Sequence, residues 1–358
     1  MKIFLDVMYD DTKNARKIKS CDYNHEGKYP IIDQSSKNVI GYTDEIDGLY
    51  NDVPVIIFGD HTRRFKLVEE PFFIGADGTK VLKLRSSVYD YKFIYYYLLH
   101  KKIPDTGYNR HFKWVKELEF PEIPRSIQSD IVKKLEVLND LISSKNKLLE
   151  SFDILIKSRF VELFGDVVLN TLNWPLVKLS DIAEYRIGLT YKPDAISSSG
   201  TAVLRSGNIQ NSQLCYEDII YVNSKVEPKL LLKNHDILMC ARNGSQSLVG
   251  KVALIENDIS NTTYGAFMMA ISSKYYVYLF EYFRSQAFRR LISVGSTTTI
   301  NQVTTRMLNS IVIPLPDLES INRFALYHSQ INKLKSDVQK SIEETQLLMD
   351  SLMQEYFG

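Results

Sequence analysis

Apolar positions recur at steps of three and four in two long stretches of this chain. In residues 131–165 they are Ile131, Leu135, Leu138, Ile142, Leu149, Phe152, Ile156 and Leu163, with Lys145 and Arg159 interrupting. In residues 324–358 they are Phe324, Ile331, Val338, Ile342, Met349, Leu352 and Tyr356. The two stretches align without a gap, so that Asn139 falls on Asn332, Lys147 on Lys340, Glu150 on Glu343, Ser158 on Ser351, Glu162 on Glu355, and Phe164-Gly165 on Phe357-Gly358. One such stripe would be an ordinary core-facing helix face. Two matching seams in one chain can pair with each other, and the pattern predicts a coiled coil of about five heptads. At about 1.5 Å per residue each helix would run roughly 50 Å, more than a compact domain needs, so the pair reads as a spacer. Proline stops precede both helices, at Pro121 and Pro124 and again at Pro314 and Pro316.

Outside the helices the period changes. Short strand-like runs at Lys2 to Val7, Tyr29 to Asp33, Val53 to Phe58, Phe72 to Ile74 and Thr79 to Leu84 are separated by turns such as His25-Glu26-Gly27, Asp47-Gly48, Gly59-Asp60 and Asp77-Gly78. Tyr89 to Leu99 reads as a helix whose aromatic spacing favours core packing over base stacking. A loop and a last strand, Ile103 to Glu119, lead to the first long helix. The second half repeats this order. Trp174 to Asp181 opens it; Ala202 to Leu204, Asp236 to Cys240, Gly250 to Ile255 and Ala266 to Ile271 are strand-like; an aromatic helix, Tyr275 to Ser285, and Ile311 to Pro314 follow. The expected fold is α+β, with a mixed, strand-rich head at 1–120, a long helix at 121–166, a second head at 167–312 and a second long helix at 313–358. The rods match while the heads differ almost everywhere.

Composition adds little until it is divided. The 358 residues are 44% hydrophobic and carry a net charge of +1, enough for two or three domains and no argument for a particular partner. Residues 167–312, however, hold 14 basic and 10 acidic side chains, a local excess of the kind phosphate contacts require. Cys21, Cys215 and Cys240 have no metal-binding spacing. No signal peptide and no apolar run of membrane length is found, and a cytoplasmic, reduced protein is expected.

The catalytic patterns fail on inspection. Gly244 to Lys251 has one residue too many for a phosphate loop, and Val252 stands where a hydroxyl should meet magnesium. Pro193-Asp194 with Glu227-Pro228-Lys229 spells a nuclease-like set, but Pro228 removes the strand donor that would hold it rigid. The histidines lack metal-ligand spacing, and neither a Gly-x-Ser-x-Gly elbow, a GxGxxG loop nor an Asn-Pro-Pro-aromatic motif occurs. The chain reads as non-catalytic, with no metal site. The alternative is a stand-alone nuclease or methyltransferase with an unrecognised site; a third reading is a coiled-coil scaffold that binds no DNA.

What remains is a set of polar, basic tips at matching places in the two halves. The first half has Ser35-Ser36-Lys37, Gly59-Asp60-His61-Thr62-Arg63-Arg64 and Gly107-Tyr108-Asn109-Arg110-His111. The second has Arg205-Ser206-Gly207-Asn208, Arg242-Asn243-Gly244-Ser245-Gln246 and Ser296 to Gln302, which includes Thr298 and Asn301. Arg reads guanine, Asn and Gln read adenine, and hydroxyls and backbone amides hold phosphates. The candidate contacts are Lys37, His61, Thr62, Arg63, Arg64, Tyr108, Asn109 and Arg110, then Arg205, Asn208, Arg242, Asn243, Ser245, Gln246, Thr298, Asn301 and Gln302.

In their order around the two helices, Gly27 to Gln34 (GKYPIIDQ), Phe58 to Arg63 (FGDHTR), Ile74 to Gly78 (IGADG), Trp174 with Lys178 to Ile182 (KLSDI), His235 to Leu238 (HDIL) and Ile313 to Pro316 (IPLP) resemble the specificity subunits of type I restriction-modification systems. The first repeat reads Phe120-Pro121-Glu122-Ile123-Pro124, shifted by a residue from the second. The resemblance covers nearly the whole chain. It implies two target-recognition domains that each read half of a bipartite double-stranded DNA site. The long helices would pack antiparallel, fix the gap and dock two modification subunits. Those partners would bind S-adenosylmethionine and flip the target adenine, restriction subunits would join them, and this chain would hold no cofactor.

Overall fold

The computed structural model describes every residue except 76, 108, 257–258 and 295–300. Ala76 of the IGADG motif, the candidate contacts Tyr108 and Thr298, and most of the 296–302 tip lie outside the described residues. The chain divides into two compact units, Met1–Lys147 with Gln339–Gly358, and Leu148–Val338. Each head thus shares its unit with part of both long helices.

In the first unit, Val55–Gly59 is buried at every position and lies inside a four-stranded antiparallel sheet ordered Met8–Asp10, Thr79–Leu84, Val55–Gly59, Phe65–Val68. A strand covered on both faces reads as a continuous apolar run rather than an alternating one, and the strand period sorts its side chains into two cores. Ile56 and Phe58 pack with Phe93, Ile94 and Tyr97 of the helix Tyr91–His100. Val55 and Ile57 pack with Ile32, Phe72 and Ile74 beneath a second sheet ordered Gly41–Thr43, Tyr29–Ile32, Phe73–Ile74. In that second sheet the pairing of Tyr29–Ile32 with Phe73–Ile74 is parallel. The aromatic helix starts at Tyr91 because the Asp90 side chain caps it, accepting from the N–H groups of Lys92 (2.8 Å) and Phe93 (3.3 Å).

Two expectations are corrected here. Lys2 to Val7 is not one strand: Lys2–Ile3 pairs with Glu119–Phe120, and Phe4–Val7 is a helical turn. Phe4 and Val7 are buried while Leu5 and Asp6 between them are exposed, which is helical spacing, not alternation. The segment from Ile103 to Glu119, expected as loop and strand, contains the helix Phe112–Lys116.

The second unit repeats this frame. Its first sheet runs Glu184–Ile187, Met268–Ser272, Ile237–Cys240, Val252–Leu254, all antiparallel. Its second runs Ile196–Ser197, Ile220–Val222, Thr201–Leu204, Thr262–Tyr264, the last pairing being parallel. The opening strand Leu176–Lys178 pairs with Val312–Pro314, the helical turn Leu179–Ile182 follows, and Tyr276–Arg284 is the aromatic helix.

The long helices are Arg125–Phe164 and Leu318–Phe357, and every predicted seam residue is buried or half-buried. In the first unit they run antiparallel, since Lys134 reaches the Tyr356 hydroxyl at 3.2 Å while Lys145 reaches Ser341 and Thr345. In the second unit Asp153 meets Lys335 at 2.9 Å and Phe160 meets Phe324 at 5.5 Å between ring centres, again antiparallel. Lys145, which breaks the apolar seam, donates to the Ser341 carbonyl (3.1 Å), the Ser341 hydroxyl (2.8 Å) and the Thr345 hydroxyl (2.8 Å). A satisfied polar layer of this kind fixes register between helices. Arg159, the other interruption, pairs with Glu162 at 2.8 Å and lies over the Tyr327 ring.

Candidate nucleic-acid interface

The first head draws its three tips together around one glutamine and one aspartate. Gln34, two residues past the strand Tyr29–Ile32 and just before Ser35-Ser36-Lys37, accepts from the His61 N–H at 3.1 Å and donates to the Asp77 carbonyl at 2.8 Å. Its own carbonyl accepts from the Thr62 hydroxyl at 2.5 Å. Lys66 donates to the carbonyls of Asp33 (2.6 Å) and Lys37 (2.5 Å), and burial pushes its pKa down. Asp60, 3% exposed, accepts the Phe112 N–H at 2.7 Å, and its carbonyl takes the His111 N–H at 2.9 Å. His111 is fully buried, with Nδ1 2.9 Å from the Asp60 carbonyl. His61 Nδ1 lies 3.2 Å from the Asn109 carbonyl, and Arg63 donates to Asp105 at 2.7 Å. Arg63 has φ of +59°, the left-handed bend that turns the chain back through the Gly59–Arg64 pairing. Gly107 N–H and Arg63 together hold the Asp105 carboxyl below the usual range.

Buried partners therefore brace these loops while several side chains stay outside. Lys37, Thr62, Arg64, Asn109 and Arg110 are exposed. Asn109 turns its amide to the Thr106 carbonyl. Arg63 and Arg64 line a cavity of about 460 Å³ with Thr62, Lys66 and Lys101.

The second head converges likewise. Asn243 donates to the Ser206 hydroxyl at 3.1 Å, its N–H points to the Asn301 carbonyl at 3.4 Å, and Asn301 donates to the Gly244 carbonyl at 3.3 Å. Arg242 and Gln302 form an antiparallel bridge. Ser245 N–H caps back to Asn243 at 2.9 Å, and its hydroxyl pairs with that of Ser247. Arg205 is exposed and donates to the Asp218 carbonyl at 2.9 Å. Asn208 is different. It is 2% exposed, accepts the Arg205 N–H at 2.8 Å, and donates to the carbonyls of Cys215 (3.0 Å) and Glu217 (2.9 Å). Its amide braces the turn from inside and leaves Arg205 to face outward. Arg242, Ser245 and Gln246 are exposed, and Gln246, Arg289, Asn301 and Gln302 line a cavity of about 450 Å³.

The catalytic look-alikes lack the geometry their chemistry needs. Gly244 to Lys251 runs into the strand Val252–Leu254, whereas a phosphate loop must enter a helix. Lys229 pairs with Glu227 at 2.7 Å with both side chains about two-thirds exposed or more, as solvated loop charges do. Among the described residues, no group of three or more His, Cys, Asp or Glu could hold a metal ion, and no helix is long and apolar enough to cross a membrane.

Residues 172–346 match the family described as type I restriction modification DNA specificity domain. The second head and most of the second long helix thus carry that domain. The chain is 22% identical to the type I restriction enzyme MjaVIII specificity subunit of Methanocaldococcus jannaschii, over 95% of this chain and 88% of that one. Its fold is that of a type I restriction-modification S subunit from M. genitalium (TM-score 0.60, 17% identity, covering 100% of this chain and 95% of that one). A second neighbour, solved for complex assembly and conformational transition of the type I R-M system, has a TM-score of 0.54 at 16% identity over 98% of this chain and 94% of that one. The α+β architecture with paired long helices is thus shared with these solved structures.

Proposed function

We propose that this chain is the sequence-specific double-stranded DNA-binding subunit of a type I restriction-modification complex, each head reading half of a bipartite site. One observation carries the reading: in each head, loops far apart in sequence are hydrogen-bonded into one polar, basic cluster at corresponding places on the same frame. Exposed Arg, Asn and Gln side chains on such a cluster suit base edges, while hydroxyls, lysines and backbone amides suit phosphates and set register. The braces beneath, Asp60, His111 and Asn208, hold that geometry before DNA arrives.

No reaction occurs in this chain. The modification subunits, two of them docked on the long helices, would bring S-adenosylmethionine and flip the target adenine into their own pocket, and restriction subunits would complete the complex. The test is to assemble the full chain with its modification subunits and map methylated adenines in genomic DNA. Two short sequence blocks separated by a fixed unspecified gap are expected. Turnover of DNA by the chain alone, given magnesium and S-adenosylmethionine, would overturn the non-catalytic assignment.

A further inference from the structure

A turn in each head sits among the tips yet belongs to none of those that sequence reasoning selects. It comprises Gly75 with Asp77 and Gly78 in the first head, and runs from Gly265 to Phe267 in the second. The leading glycine N–H donates to the end of the neighbouring strand in both, Gly75 to Ile32 at 2.9 Å and Gly265 to Leu204 at 2.9 Å. The closing carbonyl accepts from the adjacent tip in both: Gly78 from the Asp60 N–H at 2.7 Å, Phe267 from the N–H groups of Ala241 (2.9 Å) and Arg242 (3.0 Å). The same wiring thus displays different side chains. The first head shows Asp77, paired with Lys17; the second shows Phe267.

Phe267 is 61% exposed between the buried residues Tyr264 and Met268. A large ring held in water on a turn fixed by three backbone hydrogen bonds adds nothing to the core. The Arg242 guanidinium lies 5.6 Å from its ring centre, close enough for a cation–π contact to hold the two as a pair. Arginine reads the O6 and N7 of guanine in the major groove, and the apolar mark offered by bases in that groove is the C5 methyl of thymine. Resting on the DNA-reading function above, we propose that Phe267 is a base-reading residue. Its ring packs on a thymine methyl beside the guanine that Arg242 reads, in the half-site of the second head.

The experiment uses the full chain complexed with its modification subunits. Methylated sites are mapped first; exchange of the second head then identifies which half-site it reads. Duplexes carrying that site are next made with each thymine of the half-site replaced in turn by deoxyuridine, which lacks only the methyl. One replacement should weaken wild-type binding about three- to fivefold, the scale of one buried methyl. It should have no effect on Phe267→Ala. Phe267→Ala should bind the cognate duplex roughly tenfold less tightly, with mapped sites degenerate at that position, and Phe267→Leu, which keeps an apolar contact, should lie between. Indifference of the wild type to every replacement, a half-site without thymine, or an unchanged consensus in Phe267→Ala would overturn the proposal while leaving bipartite reading intact. A wild-type complex that methylates without sequence preference would instead sink the DNA-reading function, and the proposal with it.

Discussion

The two heads share a frame and little else. Each has an opening strand and helical turn, a four-stranded antiparallel sheet, a second sheet closed by one parallel pairing, and an aromatic helix. The braces differ: the first head uses Asp60 and His111, the second Asn208 and the Asn243–Ser206 pair. The second head also inserts the hairpin Ile209–Gln210 with Gln213–Leu214 and the helix Gln286–Val294. Frame positions require only burial and register, which many apolar residues satisfy, so their identity drifts without consequence. The exposed tip side chains, unlike the buried Asp60, His111 and Asn208 beneath them, carry no such requirement and, under the proposed function, are free to specify different DNA. Under the proposed function, the comparison places reading in loops held by a frame indifferent to what they read.

The strongest way to break that conclusion is to exchange residues 171–312 for the corresponding head of a relative. Mapped methylation should then change throughout one half-site and not at all in the other. A change in both blocks would mean that the heads do not read independently.

The repeat itself supplies the next test. Phe164 and Phe357 are equivalent in the two long helices, and each ends its helix against an aromatic helix. Phe164, fully buried, contacts Tyr278 at 5.2 Å and Phe324 at 5.4 Å between ring centres. Phe357 contacts Phe93 at 5.5 Å and Tyr97 at 5.7 Å. Either Phe→Ala change should cost about 3–5 kcal/mol of its unit's stability. Denaturant unfolding can follow the units separately, since Trp114 lies in one and Trp174 in the other. A loss confined to one of the two would show that the equivalence stops at sequence.

Much of this architecture was legible from periodicity. The seam residues, both aromatic helices and the strands Tyr29–Ile32, Val55–Gly59, Thr79–Leu84, Ile237–Cys240 and Met268–Ser272 follow from where apolar residues recur, because burial leaves that trace, whereas Gly41–Thr43, Phe65–Val68, Glu184–Ile187 and Ile220–Val222 do not stand out in it. Phe164 and Phe357 were visible as repeat partners but not as core, since much of their burial comes from the aromatic helices Tyr276–Arg284 and Tyr91–His100, far away in sequence. Lys2 to Val7 misled because a strand, a helical turn and a strand packed into nine residues leave no room for either period to show. The tips were legible as polar, glycine-bearing turns. Their convergence was not, because it depends on contacts such as Asp60 with His111 and Asn243 with Asn301, far apart in sequence. Asn208 looked like a reader because composition cannot tell a buried amide from an exposed one.

A smaller effect should separate the two tip arginines. Arg63 is tied to Asp105 at 2.7 Å, whereas Arg242 rests on an aromatic ring and, among the described residues, pairs with no carboxylate. Arg242→Ala should therefore weaken binding to the mapped site by about 1–3 kcal/mol and relax one base position. Arg63→Ala should cost less, since its guanidinium must leave an acidic partner to meet DNA. Titrations at two salt concentrations distinguish base from phosphate contact, because only loss of a phosphate contact flattens the salt slope. Equal losses for the two would mean that the Asp105 pair does not restrain Arg63.

The smallest difference lies beneath the frame. In the first head Asp10 accepts from Lys80 at 2.9 Å and from the Thr12 N–H at 3.0 Å, and bonds the Thr12 hydroxyl. Burial alone would raise its pKa, but these bonds outweigh it and hold the carboxyl below its usual value. The matching strand of the second head carries Arg186 instead, bound to the buried Asp236 and to the carbonyls of Lys229 and Leu231. A lowered folded pKa means that the Asp10 contribution is complete above the unfolded value, near pH 3.9, and is lost as pH falls through the folded one. Asp10→Asn should therefore destabilise the first unit at pH 7 by less than about 1 kcal/mol, since the side chains of Asp10 and Lys80 are 29% and 28% exposed and water screens the pair. The gap from wild type should close as pH is lowered from 5 toward 3. Urea unfolding read at Trp114 in a Trp174→Phe background measures it. A gap that stays constant with pH would show that the asparagine loses packing rather than charge.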